Sequence, residues 1–489
     1  MPATGAQQAT FTTGSVLRHV SVLTATGTIG LIAVFAVDLA NLYYISRLGI
    51  AELAAAVGFA GTVLFLQTSV CIGLAIGIGA TVGRAVGARD RAGARHLAGA
   101  GLLASVAVGV LAGLLVLPFL DDGLALLGAE GRTRELAVGY LWFVSPTLPL
   151  LGFAMGCSAL LRAVGDARRS MNVTLFGGLA TLVLDPVLIL VLDLGLTGAA
   201  VATLGSRIVM AWIGWHGVRR VHDIVAAPAR DRLRDDLAAV AAVAGPAVLT
   251  NLATPVASTY VTASLARFGD AAVAGQATVD RVMPVAFGVI FALTGAVGPV
   301  IAQNMGAGLL DRVVATLKAS LVLVLAYVVV AWAVLYLGQD LLVDAFGAEG
   351  VGAELLRLYC TVLAGATLFM GCLFVANAAF NNLGHPWLST LFNWGRATLG
   401  TIPLAALGAH LAGAPGVLVG QAAGTVLFGL AALAVAFRVA RRPAKAAQGS
   451  FWRPPASPAA SGKACMATLS VSDPTPEDGA AAVPSPGRA

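Results

Sequence analysis

Residues 313–337 read VVATLKASLVLVLAYVVVAWAVLYL, with a single charge, Lys318. About 20 apolar residues at about 1.5 Å rise each cross the hydrocarbon core of a bilayer, so this run is long enough to span one as a helix. Comparable runs recur along the whole 489-residue chain, of which 58% is hydrophobic and 11% charged. Soluble domains carry about 25% charged residues, and a mean hydropathy of +0.87 cannot be hidden by so few. A water-soluble fold is excluded. The 58 glycines suit membrane helices whose backbones approach closely.

Twelve spans are predicted: 20–44, 53–82, 97–119, 136–161, 172–192 and 196–217, then 237–266, 271–302, 313–337, 353–380, 387–407 and 417–439. Residues 1–19 read as a polar N-terminus, 20–217 as a first six-helix lobe, 218–236 as a polar linker and 237–440 as a second lobe. The remainder, 441–489, is rich in Pro, Ala, Ser and Gly and is expected to be a disordered tail. The first run is too long for the apolar core of a signal peptide and reads as an uncleaved span. Even-numbered connections hold Arg84, Arg89, Arg91, Arg95, Arg162, Arg168, Arg169, Arg219, Arg220 and Arg312, whereas odd-numbered ones are poor in Arg and rich in Asp and Glu. Positive charge stays inside, so both termini are expected in the cytoplasm. The net charge of +6 is spread thinly between apolar segments, which argues for this inner-side bias and not for a nucleic-acid partner.

Sliding the chain by about 220 residues superimposes Arg47-Leu48-Gly49 on Arg267-Phe268-Gly269, Val86-Gly87-Ala88 on Met305-Gly306-Ala307, and Gly165 on Gly384. A six-span shift gives both halves the same orientation, related by a pseudo-two-fold axis along the membrane normal. Parallel repeats of this kind are a transporter architecture.

A charge near the bilayer centre costs about 2.5–3.5 kcal/mol even on lenient scales, which singles out the ionisable residues inside spans: Asp38, Asp185, Arg207, Asp280, Arg281 and Arg396. Counting about 1.5 Å per residue from the span ends puts Asp38, Asp185 and Thr203 at one depth, about 10 Å below the outer surface. Two carboxylates in a low-dielectric site favour uptake of a proton near neutral pH, or of Na⁺ between hard oxygen ligands. A structural alternative for Asp185 is that it caps a helix segment starting at Pro186. Arg207, one turn from Thr203, is a candidate counter-ion for Asp185. Asp280 and Arg281 mark a possible second polar site, with Pro284 placed to kink their span; Arg396 has no assignment. Cys71, Cys157, Cys360 and Cys372 read as small buried hydrophobes, and no histidine has a metal-ligand partner at helical spacing.

The run Leu161-Arg162-Ala163-Val164-Gly165-Asp166-Ala167-Arg168, then Leu184-Asp185-Pro186 and Gly198-Ala199-Ala200-Val201-Ala202-Thr203, resembles the MATE family, the multidrug and toxic compound extrusion transporters. Asp38, Arg47-Leu48-Gly49 and Asn304-Met305-Gly306-Ala307-Gly308 fit the same pattern, and the likeness covers roughly 15–440. It implies twelve helices in two six-helix lobes around a V-shaped cavity, and export of organic, often cationic and amphipathic compounds in exchange for H⁺ or Na⁺. The branch similar to DNA-damage-inducible protein F and the archaeal members couples through its first lobe, which carried over falls on Asp38, Thr181, Asp185 and Thr203. That branch has Asn where this chain has Thr181, and Thr offers one hydroxyl in place of a carbonyl and an amide. The change favours H⁺ over Na⁺. The absence of acidic residues in the seventh and tenth spans disfavours the branch that couples through the second lobe.

The expectation is a proton-coupled antiporter without cofactor or other metal, acting as a monomer on small organic molecules in the inner membrane of a bacterium. The scarcity of Lys (Lys318, Lys445 and Lys463) beside abundant Arg points to a GC-rich genome. Tyr140 and Trp142 are candidate cavity residues. The rivals are a lipid-linked glycan flippase of the same superfamily, an integral-membrane enzyme such as a prenyltransferase, and a channel. The flippase predicts a more cationic cavity; the prenyltransferase predicts paired Asp-rich motifs, for which only Asp121-Asp122 offers itself.

Overall fold

The computed structural model describes residues 9–46 and 51–441, and among them all regular structure is helical. The first three spans are α1 (Val16–Ser46), α2 (Ala51–Gly87) and α3 (Arg91–Leu115). A short helix, α4 (Leu120–Leu126), precedes the fourth span, built from α5 (Gly131–Val144) and α6 (Leu148–Ala163) with a 3-10 turn at Ser145–Thr147 between them. Pro146 lies within that turn and Pro149 just after it, where their missing N–H groups cannot continue an α-helical ladder. The fifth span is α7 (Ala167–Pro186) and the sixth α8 (Gly195–Trp215), each extended by a π-helical turn, Val187–Val191 and His216–Val221.

In the second half come α9 (Leu233–Leu265), then α10 (Asp270–Ala286) and α11 (Gly288–Gly306), which form one span broken at Phe287 (φ −114°, ψ 24°) just beyond Pro284. They are followed by α12 (Leu310–Leu337), the short α13 (Gln339–Phe346), and α14 (Gly350–Thr361) with α15 (Thr367–Asn382). The last pair is α16 (Pro386–Gly395) and α17 (Ile402–Arg441). Non-helical backbone at Ala412 and Gly413 splits α17, so its first part completes the eleventh span and the rest is the twelfth. The expected disordered tail lies outside the described residues beyond Arg441.

The repeat is written into the backbone. The first residues of α2, α3, α4, α5, α6 and α7 each precede those of α10, α12, α13, α14, α15 and α16 by 219 positions. Left-handed backbone recurs at the same interval: Arg89 with Gly308, Gly128 with Gly347, Gly131 with Gly350, and Gly165 with Gly384. Where α2 crosses α11, Gly83 faces Ala302, Gly87 faces the carbonyl of Gln303, and Gly306 faces the carbonyl of Arg84. These contacts exchange under the same shift, so the pseudo-two-fold axis passes through this crossing.

Among the described residues the halves share their cores at one end only. A cluster of Ile78, Val82, Leu160 and Leu161 takes in Val240 and Ala244 from the start of α9. The second half's main core takes in Phe11, Val20 and Leu23 from the other end of the sequence. Both junctions lie where α1 and α9 begin, called here the terminal end. At the opposite end the first half keeps a separate core of Leu120, Leu124, Leu141, Val144 and Ile189, and α10 packs on α14 of its own half. Exposed apolar stripes, such as Val329, Val330, Val334 and Leu337 on α12, form the surface that meets lipid.

The connection between halves is narrower than the polar stretch 218–236 implies, because helix reaches Val221 and resumes at Leu233. Arg219 and Arg220 in the last turn, and Asp235 and Asp236 in the first, complement the helix dipoles and extend both elements. What remains is tied to the first half: Arg95 and Arg219 donate to Asp223 at 3.1 and 3.3 Å, and the Ala226 amide donates to the Arg95 carbonyl.

Candidate ion-coupling site

Small residues set the depth of the polar groups in the first half. Gly30 faces Thr174, and Gly178 faces Ala33 and Val37, so α1 and α7 run side by side in one register. That register places Asp38 at the level of Thr181 and Asn41 at the level of Asp185; the Asp38 side chain lies outside the described residues, as does the Arg47-Leu48-Gly49 turn. On the other flank Gly205 faces Leu184 and Gly198 faces the Leu188 carbonyl, which brings Thr203 of α8 level with Asp185. Thr181 donates to the Gly177 carbonyl at 3.3 Å, and Thr203 donates to the Ala199 carbonyl at 2.9 Å. Both hydroxyl oxygens keep lone pairs for a further donor or cation. Ser206 adds a cross-helix bond to the Gly177 carbonyl at 2.8 Å.

Asp185 is 1% exposed, and neither carboxylate oxygen accepts a hydrogen bond from the protein. A buried carboxylate in this condition is stable only with its charge neutralised, by a proton or by a bound cation.

Several expectations are corrected here. Arg207 is not the counter-ion of Asp185. Its guanidinium turns to the break in the fourth span, donating to the Val144 carbonyl at 3.1 Å and to Thr147 Oγ1. The 3-10 turn frees that carbonyl from its helical partner, which gives the buried cation an acceptor. Nor does Asp185 cap a helix starting at Pro186, since α7 runs through Pro186 into the π turn. Tyr140 is 9% exposed within the far-end core, while Trp142 is 55% exposed. Two residues apart on a helix point in different directions, so these aromatics do not line one cavity wall together. Asp280 accepts from Gln276 Nε2 at 2.8 Å, one turn back on its own helix, and Arg281 beside it is exposed.

A tally of ionisable residues passes over neutral polar groups that the fold buries without partners. Asn41 Oδ1, both amide atoms of Gln67 on α2, and Ser145 Oγ accept or donate nothing within the protein. Asn41 follows Asp38 at helical spacing, a signal present in the sequence.

The terminal end carries a second arrangement that ionisable residues alone do not reveal. The Phe11 side chain is buried, and its backbone amide donates to Gln303 Oε1 at 2.9 Å. Gln303 Nε2 donates in turn to the Ala163 carbonyl of the first half at 2.7 Å. The Phe11 carbonyl accepts from Asn304 Nδ2 at 3.2 Å and from Arg312 at 2.9 Å. The segment ahead of α1 is thus fastened between both halves. On the neighbouring connection Asp166 caps α7 through the Arg169 amide. Burial opposes its ionisation, but hydrogen bonds from His222 and Arg169 outweigh it and hold the carboxyl well below the usual carboxylate range.

The MatE family model matches residues 28–187 and again 246–407, once in each half. The FAD transporter of Shewanella oneidensis is 31% identical over 86% of this chain and 93% of its own length. The chain belongs to the MATE family. MATE proteins are transporters, not enzymes, which removes the prenyltransferase rival. The multidrug export protein MepA of Staphylococcus aureus is 29% identical over 208 residues, 41% of this chain and 45% of that protein. A MATE transporter from Vibrio cholerae, VcmN, superposes with a TM-score of 0.84 at 24% identity, covering 88% of this chain and 98% of that one. This MATE chain therefore shares the two-lobed, twelve-span fold and is a multi-pass membrane transporter.

Proposed function

We propose that this MATE protein is a secondary antiporter that exports amphipathic or cationic organic molecules in exchange for H⁺ taken up in the first lobe. The terminal end faces the cytoplasm in this reading, in keeping with its arginines. The observation that carries it is the Asp185 carboxyl, buried and unpartnered among Thr181, Thr203 and the helix bearing Asp38. Protonation neutralises the site and lets α1 and α7 pack closely; release of the proton restores a charge that closed packing cannot tolerate. Alternation between those packings couples proton entry to substrate exit. Na⁺ is the weaker candidate, because Thr181, with one hydroxyl, stands where the family's branch has the carbonyl and amide of Asn.

The likeness to a FAD transporter favours a second reading of the cargo, a flavin nucleotide carrying both an aromatic ring system and phosphate. Purified protein in liposomes with an imposed pH gradient, then an imposed Na⁺ gradient, tests the coupling. Efflux driven by the pH gradient is expected, with loss of the pH dependence in Asp185→Asn and Asp38→Asn. Wild-type, pH-dependent efflux in both variants would sink the proposal.

A further inference from the structure

Arg396 sits in the π-helical turn Arg396–Gly400 that follows α16. Ten residues into its span, it lies about 15 Å from the terminal end, near the middle of a hydrocarbon core about 30 Å thick. It is 9% exposed and its Nε is buried without a partner. No carboxylate or carbonyl accepts from its guanidinium among the described residues, in contrast to Arg207, which is anchored on the Val144 carbonyl, and Arg162, which donates to Ser158 and Ser170. Its backbone is fully engaged, with the Arg396 carbonyl accepting from Thr401 Oγ1 at 2.9 Å. Only the side chain is left over.

The neighbouring polar groups are amides. Asn393, one turn earlier and buried, spends both its amide N–H groups, on Asn377 Oδ1 at 3.0 Å and on the Ser389 carbonyl at 2.8 Å, and so fixes Asn377 with its own amide N–H groups left as donors. The acidic residue within this half's spans, Asp280, is exposed on α10 and accepts from Gln276. A guanidinium has five N–H donors and no acceptor, so Arg396 together with the Asn377 N–H groups is completed by an oxyanion.

We infer that Arg396, with the amide N–H groups of Asn377, which Asn393 positions, forms a binding site for the phosphate or carboxylate group of the transported solute, inside the second lobe. The inference rests on the transporter reading and, for the cargo, favours the second reading, an anionic aromatic solute. Lipid headgroups lie at the membrane surfaces and do not reach this depth, which leaves a soluble oxyanion as the occupant.

The test compares FMN with riboflavin, which share the ring system and differ by the phosphate, and with ethidium, a cation. Binding to the purified protein and counterflow in liposomes are both measured. Wild-type protein is expected to prefer FMN over riboflavin by about tenfold or more, the scale of a buried charge-assisted pair. Arg396→Gln should abolish that preference while riboflavin and ethidium are unaffected, and Arg396→Lys should restore part of it. Equal affinity of wild-type protein for FMN and riboflavin overturns the inference, as does an Arg396→Gln variant that keeps the preference. Binding of inorganic phosphate alone, with no discrimination between the flavins, shows an adventitious ion only and also overturns it. If Arg396→Gln does not fold, Asn377→Ala carries the same expectation and the same refutation. FMN counterflow reads the transporter function separately: its absence alongside an intact preference for FMN in binding would overturn the export reading and leave the anion site standing.

Discussion

Gln303 is a fully buried polar residue between the two halves, and Gln303→Leu is a sharp perturbation of their junction. The side chain is 0% exposed and makes two long-range hydrogen bonds, from the Phe11 amide at 2.9 Å and to the Ala163 carbonyl at 2.7 Å. Leucine fills a similar volume but leaves both backbone groups unsatisfied. Each buried orphan costs about 1–3 kcal/mol, so the closed junction loses at least about 2 kcal/mol relative to a state in which water reaches it. A shift of that size changes the ratio of fastened to released N-terminal segments by about 30-fold. Hydrogen exchange on peptides covering residues 9–15 reads the ratio directly. Exchange there should accelerate by about that factor, while peptides from the far-end core around Leu141 and Val144 keep their protection. If the 9–15 peptide exchanges as in wild type, the segment is not held by Gln303. If protection falls throughout the first half, the residue supports the whole fold and not the junction.

Gly87→Ala and Gly306→Ala should act as a matched pair, because each new methyl meets a backbone carbonyl of the facing helix, that of Gln303 or of Arg84. Each should cost about 1–3 kcal/mol and lower the melting temperature to a similar extent; a large effect at one site and none at the other would refute the symmetric crossing. Asp166→Ala removes the α7 cap together with the His222 and Arg169 contacts, for a loss of about 1–2 kcal/mol. The carboxyl is held below its unfolded value, so its contribution is present above about pH 4 and is lost only as the medium becomes more acid. Melting curves should therefore show wild type ahead of the variant from pH 8 down to pH 5, the gap closing only below that.

The span count and the repeat were legible because both rest on features that local sequence controls. Apolar length decides whether a helix crosses the bilayer, and Gly165 and Gly384 sit where a turn needs left-handed backbone. Partner choice was less legible. Helical spacing placed Arg207 near Asp185, but spacing does not register that the 3-10 turn at Ser145–Thr147 frees the Val144 carbonyl. Burial was likewise hidden: Tyr140 and Trp142 read alike as aromatics in one span, and only packing separates them. The Phe11 junction joins residues about 290 positions apart, and nothing local marks it.

The repeat also explains where the chemistry has to be. The shift of 219 residues that superimposes the helix starts pairs Asp38 with Ala257, Asp185 with Leu404, Arg207 with Val426, Asp280 with Gly61 and Arg396 with Gly177. Every deeply placed charge in one half thus faces an uncharged residue in the other. Two halves with one backbone plan provide matching breaks, at Ser145–Thr147 and at Leu363–Ala366, and a junction that can close about a common axis. A symmetric set of charges would bind the same ion in both halves and give neither a distinct task. On the proposed function, Asp38 and Asp185 in one half and the unpaired Arg396 in the other would separate uptake of a cation from capture of an anion. On this argument, transplanting Asp185 to its counterpart, as Asp185→Leu combined with Leu404→Asp, should not restore pH-dependent efflux. Position 404 lacks the flanking hydroxyls, because Thr181 and Thr203 have Gly400 and Ala422 as their counterparts.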